Sequence, residues 1–386
     1  MRLSQRMARL GTETAFEVLV RARALEAKGR DVIHLEIGEP DFDTPAHVSE
    51  AAVEALRAGA THYGPAAGMP ELREAIAEDS TRRRGVRATP EMVVVTPGAK
   101  PIMFFVILAL VDDGDEVLYP NPGFPIYESM IRYIGGNPVP VRLLEEKGFT
   151  LDVDQLVDRV GPRTRLIILN YPHNPTGGTI PESGLRAIAD AAARFGVPVL
   201  SDEIYGRILY EGEHVSIARL PGMEPLAIVL DGFSKTYAMT GWRLGYGIMP
   251  APMAQVVAKL QTNATSCTAT FSQLAAVAAL RGDQSPVDTM VAEFRRRREA
   301  IVEGMRAIPG FTCARPKGAF YVFPNIARTG YSSKALADRL LEEAGVACLS
   351  GTAFGEFGEG HLRFSYANSM ENIQEALRRI RQTLSR

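Results

Sequence analysis

The sequence predicts an α/β protein, with a mostly parallel seven-stranded sheet in a large domain and a smaller α+β domain beside it. Three observations predict it. From Met92 onward, short apolar runs alternate with helical spacings, the texture of parallel strands joined by crossover helices. The 386 residues exceed what one hydrophobic core usually serves, which asks for two domains. After Pro309 a second, shorter alternation begins, behind a long amphipathic helix that opens near Val291. The large domain is placed at 46–290, and the small domain at 1–45 plus 291–386.

Thr14–Lys28 carries Phe16, Leu19, Val20 and Leu25 at helical spacing and stops at Gly29, a C-terminal cap. Asp31–Ile37 reads as a strand, closed by the Pro- and Asp-rich loop Gly38–Pro45. Helices follow at about Ala46–Ala58 and Glu71–Arg84, separated by a Gly/Pro-rich loop that contains Tyr63. The seven strands are Met92–Thr96, Glu116–Tyr119, Pro138–Val141, Leu166–Leu169, Pro198–Ser201, Leu226–Leu230 and Tyr246–Met249. Helices between them are expected at Pro101–Val111, Tyr127–Tyr133, Pro181–Arg194 and Met253–Gln261. In the small domain, strands Ala319–Phe323, Val346–Leu349 and Leu362–Tyr366 alternate with helices Ser333–Ala344 and Met370–Leu384. The basic run Arg295–Arg298 reads as a solvated helix face.

Composition excludes several function classes. With 43 basic against 45 acidic residues the formal charge is -2, which points to neither nucleic acid nor a charged membrane. The longest apolar run, Ile102–Val111, is about half of the ~20 residues a bilayer span needs. Cys267, Cys313 and Cys348 lack metal-ligand spacing, so the expectation is a reduced, cytoplasmic protein without a metal site.

In open parallel sheets, ligands bind beyond the carboxyl ends of the strands. The residues at those ends form a coherent set. Pro97-Gly-Ala-Lys-Pro101 places the backbone of Gly98, Ala99 and Lys100 at a helix N-terminus, an anion cradle. Phe124 sits on a proline-stiffened loop, where an aromatic ring can stack on a ligand. Asn174 offers a side-chain amide from a similar loop, while His173 beside it reads as structural. Asp202 ends an apolar strand, which is costly for a carboxylate unless a positive partner joins it, and Tyr205 follows one helical turn later. Lys235 lies just past another strand end, among Phe233, Met239 and Trp242, where partial dehydration can turn its amine into a nucleophile. Arg243 brings a second fixed cation. A phosphorylated aromatic aldehyde with a basic ring nitrogen uses every one of these groups, and that description fits pyridoxal phosphate.

The chain resembles a class I/II aminotransferase of fold type I, the bacterial aspartate/aromatic type. The matching stretches are Gly38-Glu-Pro-Asp-Phe-Asp-Thr-Pro45, Tyr63-Gly-Pro-Ala-Ala-Gly68, Asn174-Pro-Thr-Gly177, Ser201-Asp-Glu-Ile-Tyr205, Ser234-Lys-Thr-Tyr-Ala-Met-Thr-Gly-Trp-Arg243 and Leu362-Arg-Phe-Ser365, in family order along nearly the whole chain. The resemblance implies that Lys235 carries the cofactor as a Schiff base and shuttles the substrate's α-proton. It implies that Asp202 pairs with the ring nitrogen, that Tyr205 and Asn174 hold the ring oxygen, and that Phe124 stacks on the ring. The backbone of Gly98–Lys100, with Ser234 and Arg243, would bind phosphate. Arg363 would grip the substrate carboxylate, helped by Asn174 and the Gly38 backbone. Tyr63 would reach the cofactor of a second subunit, which implies a homodimer.

Two departures stand out against this resemblance. Gly232 stands where many relatives carry Ser, and Ala99 and Lys100 replace small hydroxyl residues in the cradle. The activity expected is ping-pong transfer from an L-amino acid, aspartate first and alanine or aromatic donors next, to a 2-oxo acid such as 2-oxoglutarate. A β-eliminating carbon–sulfur lyase uses nearly the same residues. A cofactor-binding regulator and a nicotinamide dehydrogenase fit the residues less well. The dehydrogenase lacks its G-x-G-x-x-G after an early strand, and only a few dozen residues precede Gly38 where a DNA-binding domain would stand.

Overall fold

The computed structural model describes residues 1–385. The chain enters through α1 (Thr14–Glu26), the short strand β1 (Ile33–His34), α2 (Ala46–Arg57) and α3 (Pro70–Arg84). Pro70 opens α3 at a position where its missing N–H costs nothing, and Gly85 closes it in the left-handed region at φ 67°.

The central sheet is built from β2 (Val93–Thr96), β3 (Glu116–Asn121), β4 (Asn137–Leu144), β5 (Thr150–Leu151), β6 (Thr164–Asn170), β7 (Val199–Asp202), β8 (Ala227–Gly232) and β9 (Gly245–Ile248). Their order is β2-β9-β8-β7-β6-β3-β4-β5. Pairs β3–β4, β3–β6, β6–β7 and β7–β8 are parallel, while β9 runs antiparallel to both β8 and β2. The sheet therefore has eight strands, not the seven expected. The additional one is β5, a two-residue hairpin partner of β4 too short to show a period.

Helices cover both faces, as a mostly parallel sheet requires: α4 (Lys100–Leu110), α5 (Pro125–Ile134), α6 (Val153–Arg159), α7 (Glu182–Phe195), α8 (Ala251–Thr265) and α9 (Thr270–Arg281). The strands are apolar on both sides for the same reason. In β2, Val93 and Val95 join one core cluster and Val94 the opposite one. In β6, Leu166 and Ile168 face one side and Ile167 and Leu169 the other.

The long helix α10 (Ser285–Arg306) leads to β10 (Tyr321–Val322), α11 (Ser333–Arg339), β11 (Val346–Ala347), β12 (Leu349–Ser350), β13 (Leu362–Ser365) and α12 (Met370–Leu384). Strands β10, β13 and β12 form an antiparallel three-stranded sheet. β1 pairs in parallel with β11, Ile33 opposite Val346. These strands are shorter than the sequence pattern suggests, and α11 ends in a π-helical turn, Leu340–Ala344, instead of running on as α-helix. An aromatic core of Phe294, Phe320, Phe364 and Tyr366 holds them together.

The basic run of α10 is not the solvated face the sequence suggests. Arg297 and Arg298 are buried, at 7% and 4% exposure. Arg297 donates to Asp41 at 2.6 Å and lies 5.0 Å from the Phe42 ring centroid, while Arg298 donates to the Pro316 carbonyl at 2.9 Å. Arg297 thus finds its partners in the loop after β1, and Arg298 in the segment before β10 and at Glu211; Arg295 and Arg296 stay outside.

Candidate active site

Because β9 is antiparallel to both neighbours, the carboxyl ends of β2, β3, β6, β7 and β8 share one edge of the sheet with the start of β9. A cavity of about 510 Å³ opens there, closed from above by residues of α1, the Gly38 loop and the three-stranded sheet. Gly38, Ala99, Lys100, Phe124, Asn174, Asp202, Tyr205, Ser234, Lys235, Arg243 and Arg363 all line it. Gly98 lies just behind Arg243. Tyr63 lies elsewhere, 91% exposed on the outer surface.

Asp202 is the last residue of β7 and is buried. Its carboxylate accepts the Tyr127 hydroxyl at 2.5 Å and the Ile204 N–H at 3.2 Å, with no cation in contact among the described residues. Burial pushes its pKa up to about 6, and the nearby carboxylates of Asp231 and Glu203 push the same way; the two hydrogen bonds oppose them. Tyr127 escaped the sequence reading, although it stands one helical turn after Phe124.

Lys235 lies in the turn after β8 and donates to the Gly38 carbonyl at 2.5 Å. Enclosure by protein lowers its pKa to about 8, with Arg363 and Arg243 adding repulsion that Glu39 and Glu13 partly offset. The amine thus loses its proton near neutrality far more readily than a surface lysine.

Arg363, on β13, is buried at 4% exposure. Its guanidinium bonds the Glu36 carbonyl and the Asn174 side-chain oxygen, the latter at 3.2 Å. Among the described residues its Nε has no partner. A buried guanidinium with an unused donor on a cavity wall is suited to a carboxylate.

The α4 N-terminus supplies the cradle. Gly98 adopts φ 86°, and a Cβ there would collide with the guanidinium of Arg243. A Cβ on Gly245 would likewise strike the Ala99 N–H. Glycine at both positions keeps helix N–H groups and a cation together around one small space. Lys100 contributes its backbone but not a free amine, since its Nζ pairs with Glu13 at the start of α1 and lies 5.3 Å from the Phe124 ring. The Gly232 departure also has a physical reason. A Cβ there would sit 2.9 Å from the Gly245 Cα and 3.0 Å from the Leu244 carbonyl, so no side chain fits.

Tyr205 shares a 2.7 Å hydrogen bond with Tyr321, a second residue the sequence did not reveal. His173 is structural: burial lowers its pKa to about 3, and it bonds Thr176 at 3.0 Å. Behind Asp202, on the side away from the cavity, Arg84 at the end of α3 bridges Glu203 and Asp231. No sequence signal separates Arg84 from Arg82 and Arg83.

A family model described as aminotransferase class I and II matches residues 30–380. The chain is 41% identical to a probable aspartate/prephenate aminotransferase of Aquifex aeolicus, covering 99% of this chain and 98% of that one. It is 44% identical to an aspartate aminotransferase of Pyrococcus abyssi over 92% of each. The solved structure of the Thermus thermophilus aspartate aminotransferase with maleate is similar with a TM-score of 0.95 at 40% identity, covering 99% of this chain and 100% of that one. Sequence and fold agree along nearly the full length, and the chain belongs to the class I and II aminotransferases, fold type I enzymes that generally depend on pyridoxal phosphate.

Proposed function

We propose that the protein binds pyridoxal phosphate and transfers the amino group of an L-amino acid to a 2-oxo acid in two ping-pong half-reactions, with aspartate and 2-oxoglutarate the first pair to try. One observation carries the reading. A single cavity joins a lysine of lowered pKa, a buried carboxylate without a cation and a buried guanidinium with a free donor. The donor set fits the cofactor: Asp202 lacks only a cationic ring nitrogen, and the glycine-lined cradle suits a phosphate.

When bound, pyridoxal phosphate supplies an electron sink for the charge left on the substrate's α-carbon. Asp202 keeps the ring nitrogen protonated. Asn174 and Tyr205 hold the ring oxygen, and Phe124 covers one ring face. The backbone of Gly98–Lys100, with Ser234 and Arg243, binds the phosphate. Arg363, steadied by Asn174 and the Glu36 carbonyl, takes the substrate α-carboxylate, with the Gly38 backbone beside it. Lys235 moves the proton at the α-carbon, a task for which an amine near pH 8 is matched.

Lys100 lines the same cavity as Arg363, with its Nζ held by Glu13, and aspartate stays the first donor to try. Exposed Val53, Leu56 and Tyr63, close in sequence, support a homodimer in which Tyr63 reaches the neighbouring site. Division into a large domain at 46–290 and a small one from 1–45 plus 291–386 is supported by the β1–β11 pairing. Among the described residues no helix is long and apolar enough to cross a membrane and no metal-binding cluster occurs, and all three thiols are free; a cytoplasmic location is proposed on that basis.

The test is the absorbance of the loaded enzyme as single L-amino acids are added without acceptor. Conversion to the pyridoxamine-form band, reversed by an oxo acid, is the expected result. A steady band with accumulating pyruvate would instead identify a lyase. Lys235→Ala should retain cofactor and lose turnover by about 10³-fold or more.

A further inference from the structure

Tyr321 is 1% exposed on β10, yet it lines the cavity. Three of its neighbours belong to three different parts of the site. Its hydroxyl lies 2.7 Å from that of Tyr205. Its ring lies under Arg363, with the guanidinium carbon 4.6 Å from the ring centroid. Its hydroxyl also abuts Gly38, where a Cβ would collide with it, and the Gly38 carbonyl is the acceptor for Lys235. Strand register fixes this position, because Tyr321 pairs with Ser365 on β13, the strand that carries Arg363.

Two hydroxyls that share one hydrogen bond hold one proton between them and one to give away. If Tyr205 donates to a ring oxygen, its own oxygen must accept from Tyr321. Bonds in such a chain polarise and strengthen one another. We infer that Tyr321 is a positioning residue whose hydroxyl donates to Tyr205, so that Tyr205 donates to the cofactor, and whose ring braces Arg363 for the substrate carboxylate. The inference rests on the cofactor assignment above.

The groups around this chain are few. Tyr205, Arg363 and, across the cavity, Glu13 act on Tyr321; Tyr321, Arg363 and Asp202 act on Tyr205. Burial raises both phenols, so both keep their protons near neutral pH. Lys235, the group joined to the cofactor, is acted on by Glu39, Arg363, Arg243 and Glu13.

Tyr321→Phe removes the hydroxyl and keeps the ring. The readout is the pH midpoint of the visible-band change in the loaded enzyme without substrate, with KM and kcat for the best donor alongside. A weaker donor at Tyr205 leaves negative charge on the ring oxygen less stabilised, so the lysine-linked cofactor holds its proton to higher pH. The expected midpoint rises by about 0.4–1 pH unit, with KM within about twofold of wild type because the ring still contacts Arg363. Tyr321→Leu should show the same midpoint and, in addition, a KM raised by about threefold. An unmoved midpoint in Tyr321→Phe overturns the donor chain, and an unchanged KM in Tyr321→Leu overturns the brace. Wild-type protein that never acquires a visible band would defeat the cofactor assignment itself, an outcome distinct from either.

Discussion

Replacing Asp202 by Asn separates what the carboxylate costs the fold from what it does in the site. In the folded chain the carboxyl titrates near 6, above its ordinary 3.8, chiefly because it is buried. The folded state therefore holds more protons than the unfolded state between these values, and stability falls as pH rises through that window. Asp202→Asn should stabilise the cofactor-free protein by about 1–3 kcal/mol at pH 8, a gain that fades as pH falls from 6 to 4. Chemical denaturation of wild type and variant at both pH values checks it. The same variant should lose most of its turnover, since an amide cannot keep a ring nitrogen protonated. Asp202 and Lys235 were legible in the sequence because one ends an apolar run and the other lies just past a second. Tyr127 and Tyr321 were not, because a tyrosine in an apolar stretch looks like core until the fold supplies its hydroxyl with a partner.

Three neighbouring arginines end α3, and sequence gives no reason to rank them. Arg82 is largely solvent-exposed and pairs with Asp79, whereas Arg84 is 4% exposed beneath β7 and β8. There it joins Glu203, the residue after Asp202, to Asp231, which precedes the Lys235 turn; Tyr246 adds a 3.1 Å hydrogen bond to Asp231. His214 and Ser216 satisfy Glu203 from the other side at 2.8 and 2.6 Å. Arg84→Met takes the shared cation from two buried carboxylates, which keep only their His, Ser and Tyr side-chain partners, and should cost about 3 kcal/mol, whereas Arg82→Ala should stay within about 0.5 kcal/mol. Urea unfolding of the two variants compares them directly. Elements of the central sheet were readable because strands buried on both faces are long apolar runs. The small-sheet strands were overestimated, because a two-residue ladder imposes little pattern on the residues around it.

At the scale of the whole molecule, the alternation of strands and helices was enough to predict an α/β sheet, and the order of motifs was enough to suggest the family. Assembly was less legible, since an interface between copies leaves no period in one chain. Light scattering on the purified protein should give twice the chain mass if the proposed dimer forms, and a monomer mass would remove Tyr63 from the site. The pairing of β1 with β11 carries a consequence for biosynthesis. Every strand of the central sheet has left the ribosome by Ile248, so that sheet can form while the rest is still being made. Ile33 has no strand partner until Val346 emerges. The first residues synthesised are thus among the last to lock in place, and the cavity they help to close is completed only when translation is nearly finished.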